Sequence, residues 1–164
     1  MITAHMQTKH LDLILLTREA VIAEVEAMTA ADKAQLSADW LALLHASTAA
    51  DPWTHGFSLV HRATGIAIGR VGFKGPLAAD GTVEIAYGLD PDHQGKGYAT
   101  EAAEALVIYA FADPRVRLVL AHTLPERNAS GRVLTKCGFR HVGEVIDPED
   151  GPVWRWERAR EAAV

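Results

Sequence analysis

The sequence predicts an α/β (α+β) domain built on a mixed sheet. Residues 81–138 contain segments in the order strand, helix, strand, helix, which is the order that places two parallel strands side by side. Before that unit, a first strand is followed by two helical segments and then by short strands in succession. Just under half of the 164 residues are hydrophobic, which is enough for one core, so we expect a single domain over residues 1–164.

The first elements are one strand and two helices. Residues 10–17 (HLDLILLT) alternate and then become apolar, which is typical of a strand. Thr17 is placed to cap a helix over residues 17–28, whose apolar side chains recur at helical spacing. The same spacing over residues 29–47 predicts a second helix.

The middle of the chain predicts three strands and a long helix. Residues 57–75 contain two strands joined by a turn at residues 63–65. Residues 81–90 (GTVEIAYGLD) form the next strand, with alternating apolar side chains on one face. A glycine-containing turn then opens a third helix that ends near Asp113.

The last segments predict a strand, a short helix and a hairpin. Residues 116–124 (VRLVLAHTL) form the strand, and residues 128–138 form the helix, ended by a glycine. Residues 139–146 and 151–158 pair as a hairpin around the turn sequence DPEDG.

Composition excludes several classes of protein. A formal net charge of -5 with no basic run argues against a nucleic-acid binder. The single cysteine, Cys137, excludes internal disulfides and paired-cysteine zinc sites. No window of about 20 apolar residues indicates a membrane span, and the start lacks a secretory signal, so we expect a cytoplasmic protein with no membrane partner.

The turn after the strand at residues 81–90 has the glycine-rich sequence DPDHQGKGYATEA. Such a turn presents unpaired backbone N–H groups and the positive end of a helix dipole, which suit a phosphate group. Two common phosphate motifs do not fit: the Walker motif requires glycine at Asp90, and the dinucleotide motif requires glycine at Thr100. A third motif, Q/R-x-x-G-x-G/A, is filled by Gln94, Gly97 and Ala99.

In its context, this third motif resembles that of the GCN5-related N-acetyltransferase (GNAT) family, where it binds the pyrophosphate of acetyl-coenzyme A. A second segment, NASGRVLTKCGF, is similar to the family's other cofactor motif, which ends in Lys-x-Gly-Phe, here Lys136, Gly138 and Phe139. The segment VEIAYGLDPDHQGKGYATEA is similar to the branch that contains ribosomal-protein alanine acetyltransferases. The resemblance is sharp over residues 83–139 and extends over nearly the whole chain.

The resemblance implies a mostly antiparallel sheet of six to seven strands with four helices and a parallel pair that splays apart at the cofactor cleft. It implies acetyl-coenzyme A as co-substrate and no metal ion. The backbone of Leu89 would meet the pantetheine arm, and the amides of the turn would surround the phosphates. The implied cofactor-binding residues of the turn are Gln94, Gly95, Lys96, Gly97, Tyr98, Ala99 and Thr100.

Acetyl transfer needs a neutral amine to attack the thioester, so a base is useful. Glu84, on the strand before the turn, is the candidate. The alternation of that strand places Glu84 opposite its apolar side chains; Glu84 acts if its face lines the cleft and is inert if that face meets solvent. A bulge near residues 86–88 would change which side chains face the cleft. The resemblance also implies that a backbone amide within residues 87–89 polarises the thioester carbonyl.

Ser130 is the second candidate catalytic residue. Many relatives protonate the departing thiolate with a tyrosine from the fourth-helix segment, but this chain has none after Tyr109. Ser130 matches a serine that the ribosomal-protein branch places near the sulfur, and its alternative role is a helix cap. Asn128 would bind the pantetheine arm, but it precedes Ser130 by two residues where three is common, so Arg127 is its rival.

The amine acceptor is the least determined part of the site. Trp40, Trp53 and His55 are candidates for its pocket, since the family builds that side from its first helices and the following loop. Protein N-termini, amino acids, polyamines and antibiotics all stay open as acceptors, as does a homodimer. Direct transfer is expected, because no activated Ser or Cys nucleophile is present in the pattern. The rival hypothesis is a non-catalytic acyl-coenzyme A sensor or protein-interaction module on the same fold.

Overall fold

The computed structural model describes residues 5–47, 51–148 and 150–160. Within these ranges the chain forms eight strands and five α-helices. The strands are β1 (His5–Gln7), β2 (Leu11–Leu15), β3 (Phe57–His61), β4 (Ala67–Phe73), β5 (Thr82–Leu89), β6 (Leu118–Thr123), β7 (Arg140–Asp147) and β8 (Gly151–Ala159). The helices are α1 (Arg18–Ala27), α2 (Ala30–Ala34), α3 (Ala38–Ala46), α4 (Tyr98–Ala112) and α5 (Ala129–Lys136).

The first three helices each begin at a hydroxyl side chain. Thr17, Thr29 and Ser37 each accept a hydrogen bond of 3.1 Å from the backbone N–H three residues later. Such a cap typically stabilises a helix by about 1 kcal/mol. The cap at Ser37 also starts a new helix, so the prediction of one helix over residues 29–47 is wrong and α2 and α3 take its place.

One sheet contains all the described strands, in the order β1-β2-β3-β4-β5-β6-β8-β7. The pairs are antiparallel except β5 and β6, which are parallel and connected through α4. The predicted fold class is therefore confirmed. The strand beyond the predicted six to seven is β1, whose three residues are too few to give an alternating pattern.

Helix α4 packs against one face of the sheet through small side chains. Ala102, Ala103 and Ala110 are fully buried and belong to the core that includes Val83 and Val119 of the parallel pair. Alanines let a helix approach a sheet closely, so α4 is held against the parallel strands. This packing fixes the turn before α4 beside the end of β5.

The parallel strands separate partway along their length. Their pairing covers only residues 82–84 of β5 and 118–120 of β6, although both strands continue. Beyond that point β5 stays paired with β4, and β6 stays paired with β8. The predicted splayed pair is thus present. The β4–β5 register is unbroken over residues 85–89, so the bulge considered near residues 86–88 does not occur.

Candidate functional site

A cavity of about 120 Å³ lies where β5 and β6 separate; we call it the splay cavity. Its lining includes Lys74, Glu84, Tyr87, His122 and Ser130. Strand β5 supplies Glu84, β6 supplies His122 and α5 supplies Ser130. The two predicted catalytic residues therefore border the same space, and the side chain of Glu84 is only 23% exposed.

Two basic groups hold the carboxylate of Glu84. Its Oε2 atom lies 3.0 Å from Nδ1 of His122 and 3.3 Å from Nζ of Lys74. Burial acts to lower the pKa of the Lys74 ammonium, but the charge and hydrogen bond of Glu84, with the charges of Asp150 and Asp147, raise that pKa above its ordinary value. Lys74 is therefore a permanent cation at neutral pH, and it faces the carboxylate of Glu84.

Asn128, and not Ser130, caps α5. Its Oδ1 atom accepts a 3.0 Å hydrogen bond from the N–H of Gly131, so the alternative role of Ser130 as the cap is wrong. The hydroxyl of Ser130 has no hydrogen-bond partner among the described residues. The same holds for Nδ2 of Asn128, and Arg127 is exposed at the same helix end, so both stay candidates for the pantetheine arm.

The side chains of Tyr87 and His122 line this cavity, and the sequence did not indicate a functional role for either side chain. Tyr87 alternates with core residues, so its position suggested packing only. His122 lies on a strand with no metal-ligand spacing around it, which made it one of several scattered histidines. Knowing the β5–β6 register would have revealed His122, because Glu84 pairs with Leu120, two residues before it.

The turn between β5 and α4 has the features of an anion site. Gly95 and Gly97 have φ angles of 77° and 85°, a left-handed conformation that favours glycine. The backbone N–H groups of residues 96–100 have no hydrogen-bond partner among the described residues. Gln94 donates a 3.0 Å hydrogen bond from its side chain to the carbonyl oxygen of Leu89, which ties the turn to the end of β5. The free N–H groups and the helix dipole together suit a phosphate.

A larger cavity of about 320 Å³ adjoins the splay cavity, and the two share Ala86 and Tyr87; we call it the outer pocket. Trp40 and His55, two of the three candidates for the acceptor pocket, line it. Trp53 does not, because its ring packs against Phe73 at 4.6 Å between ring centroids.

His55 has a structural role in the wall of the outer pocket. It is fully buried, its Nδ1 accepts a 2.9 Å hydrogen bond from the N–H of Asp51, and its Nε2 lies 3.0 Å from the hydroxyl of Ser47. Because the backbone N–H requires an acceptor at Nδ1, the proton of the neutral ring is on Nε2. Burial lowers the pKa of His55, although the nearby Asp51 opposes this.

Other chemistry has little support in the described part of the chain. No group of three or more His, Cys, Asp or Glu side chains there could hold a metal ion. Burial raises the pKa of Cys137 to about 11, so this thiol is a core group and not a nucleophile. None of the helices in the described ranges is long and apolar enough to cross a membrane.

Comparisons with known proteins agree with this geometry. Residues 4–140 match the family model of the acetyltransferase (GNAT) domain. The N-acetyltransferase p20 of Bacillus licheniformis, itself uncharacterized, is 33% identical over 93 residues, which are 57% of this chain and 52% of that protein. The chain spans about half the length of the curated relatives it matches.

Solved structures share the fold. The aminoglycoside acetyltransferase AAC(6')-Ib in complex with coenzyme A superimposes with a TM-score of 0.65 at 22% identity, over 92% of this chain and 95% of that one. The ribosomal-protein-S5-alanine acetyltransferase of Vibrio fischeri gives a TM-score of 0.66 at 17% identity, over 95% and 96%. These likenesses concern the fold, whereas the family model matches most of the sequence. The chain belongs to the GNAT family of acetyltransferases.

Proposed function

We propose that this chain is an acetyl-coenzyme A-dependent N-acetyltransferase that transfers the acetyl group directly to a primary amine. The main support is that the glycine-rich turn and the splay cavity both lie where β5 and β6 separate. The anion-binding turn lies at the end of β5, and the splay cavity with Glu84 and Ser130 lies in the gap itself. A thioester bound there would present its carbonyl carbon to an amine.

The cofactor would be held by the residues that the motif indicates. The free N–H groups of residues 96–100 would bind the phosphates, with Lys96 adding positive charge. A Cβ atom built on Gly95 or Gly97 meets no atom within 4 Å, so the space in front of the turn is open to a ligand. Leu89 and Asn128 would contact the pantetheine arm, with Arg127 as the alternative to Asn128.

The splay cavity would supply the acid–base chemistry. Glu84 is placed to promote loss of a proton from the attacking amine, directly or through a neighbouring group. The hydroxyl of Ser130 has no partner in the described part of the chain, so it can donate a hydrogen bond to the departing sulfur. No covalent acyl-enzyme is required, since neither Ser130 nor Cys137 has the base of an activated nucleophile.

The charges of the outer pocket favour one kind of amine. Arg70 is the charged residue among its described lining residues, and its guanidinium is already paired with Glu24. The rest of the wall includes the aromatic side chains of Trp40, Phe73 and Tyr87. The described lining offers no carboxylate to a second ammonium group, so the acceptor is a monoamine with an apolar body, such as a small amine or a protein N-terminus, and not a polyamine.

The test combines binding and turnover. Calorimetry measures coenzyme A affinity, and a thiol-release assay compares hexylamine with hexamethylenediamine, which have the same carbon chain and differ in the second amine. We expect coenzyme A binding and faster thiol release with hexylamine. Binding without thiol release for any amine, including peptides with free N-termini, would favour the sensor hypothesis.

A further inference from the structure

The contact between Glu84 and His122 bears on which group receives the proton of the amine. Both residues line the splay cavity, and the side chain of His122 is 16% exposed. The inference rests on the proposed function, because it assigns a step of acetyl transfer to an amine.

Glu84 is poorly suited to be the proton acceptor itself. One carboxylate oxygen, Oε2, contacts both Nδ1 of His122 and Nζ of Lys74. This oxygen is therefore already engaged by two donors and is not open to the proton of an amine. The ordinary pKa of a carboxyl group lies far below that of an amine, whereas the ordinary pKa of an imidazole lies nearer to neutral pH.

The same contact sets the tautomer of His122. An ionised carboxylate can only accept a hydrogen bond, so the proton of the neutral ring lies on Nδ1, facing Glu84. The lone pair of the ring is then on Nε2, which has no hydrogen-bond partner among the described residues. This is the arrangement of an imidazole base that is oriented by a carboxylate.

We propose that Nε2 of His122 is the proton acceptor of the reaction and that Glu84 and Lys74 are positioning residues. The amine nitrogen forms a bond to the thioester carbonyl carbon, and its proton passes to Nε2 of His122. The carbon–sulfur bond then breaks, and the sulfur leaves with the bonding electron pair as a thiolate. The proton on His122 returns to that thiolate or to solvent, so the enzyme ends unchanged.

The charges around His122 allow this cycle. Glu84 of β5 lies at Nδ1, and Lys74, just after β4, contacts the same oxygen of Glu84. On β8, Arg155 is the direct cross-strand neighbour of His122, and its guanidinium is paired with Glu157 at 2.7 Å. Ser130, on α5, is uncharged. The imidazolium formed during the reaction thus faces the Glu84 carboxylate, which it shares with Lys74.

The experiment compares two variants by the pH dependence of kcat/KM with hexylamine. His122→Asn keeps a donor near the position of Nδ1 and removes Nε2, whereas Glu84→Gln keeps an acceptor for Nδ1 and removes the charge. The exposed His45, at the end of α3, supplies the control variant His45→Asn. Ratios of wild-type to variant rates cancel the ionisation of the amine itself. Coenzyme A affinity and thermal melting of each variant report binding and folding.

We expect His122→Asn to lose about 10²- to 10⁴-fold in kcat/KM at the pH where wild type is fastest, with unchanged coenzyme A affinity. The loss should shrink toward acid pH, where the wild-type base is already protonated. Glu84→Gln should lose less of its kcat/KM, and its pH profile should still show the ionisation of the base that wild type shows. A larger loss in Glu84→Gln, with the ionisation intact in His122→Asn, would overturn the assignment to His122. Coenzyme A binding by wild type without turnover of any amine would instead overturn the proposed function.

Discussion

The hydroxyl of Tyr87 donates a 3.3 Å hydrogen bond to the backbone carbonyl oxygen of Ser130. Tyr87 lies on β5 beyond the last residue that pairs with β6, and Ser130 lies in the first turn of α5. The contact therefore joins β5 to α5 across the gap that the strands leave. Burial raises the pKa of Tyr87 to about 12, against the opposing effect of the hydrogen bond to Ser130, so the phenol stays protonated and remains a donor.

Removing this hydroxyl should weaken the fold measurably. Tyr87→Phe keeps the ring and leaves the carbonyl of Ser130 without its donor, so we expect the free energy of unfolding to fall by about 0.5–1.5 kcal/mol in urea titrations. Tyr109 provides a matched control, because it is a half-buried tyrosine whose hydroxyl has no hydrogen-bond partner among the described residues. Equal losses in Tyr87→Phe and Tyr109→Phe would show that the contact with Ser130 contributes nothing.

A carboxylate in the turn before α4 should abolish coenzyme A binding. Gly97→Glu places negative charge and bulk where the phosphates are proposed to lie, and we expect the affinity measured by calorimetry to fall at least about 100-fold. Gly151→Glu is the control, since Gly151 also has a positive φ, 74°, and open space around it, but lies at the start of β8. Unchanged affinity in a folded Gly97→Glu protein would place the cofactor elsewhere.

The prediction for Ser130 is sharper now that Asn128 is known to cap α5. Ser130→Ala removes no cap, so thermal stability should change by less than about 0.5 kcal/mol. If the hydroxyl helps the thiolate leave, kcat should fall while coenzyme A affinity is kept. Asn128→Ala removes the cap, so its free energy of unfolding should fall by about 1 kcal/mol. Normal turnover in Ser130→Ala would remove Ser130 from the mechanism.

Local patterns predicted most of the fold. Alternation over residues 81–90 and 116–124, with a helix between them, was sufficient for the parallel pair, because a helix that connects two strands of one sheet returns the chain to the end where the first strand began. The break between α2 and α3 was missed, since apolar spacing continues through it and only the cap at Ser37 marks the new start. Short β1 depends on its pairing with β2 and has no pattern of its own.

The site was predictable where a motif lies in consecutive residues and not where it depends on register. The turn at residues 94–100 forms within one segment, so its glycines identify it. Glu84 could be named, but its surroundings could not, because Lys74 follows β4 and His122 lies on β6. The β4–β5 pairing brings Lys74 to Glu84, and the β5–β6 pairing brings His122, so both contacts depend on the register of the sheet.

Arg70 should set the preference for monoamines. Its guanidinium is paired with Glu24 at 2.5 Å and donates to the carbonyl of His55 at 2.8 Å, so it is held at the outer pocket. We expect Arg70→Met to reduce the preference for hexylamine over hexamethylenediamine by about tenfold, since Glu24 is then left unpaired. Arg70→Lys keeps the charge and should keep the preference. An equal preference in Arg70→Met and wild type would mean that the outer pocket does not hold the acceptor.

His55 should make the fold sensitive to mild acid. Burial holds its pKa below the ordinary value of about 6.5 in the folded protein, while the unfolded chain keeps the ordinary value. Between these two values the unfolded state binds the proton and the folded state does not, so stability falls as pH drops below about 6.5.

The carboxylates of Glu101 and Asp113 also have lowered pKa values, but their effect begins only below their ordinary values of 4.5 and 3.8. Urea midpoints between about pH 8 and pH 5 therefore isolate histidine. The decline should be shallower in His55→Gln, and an equally steep decline there would assign it to other histidines.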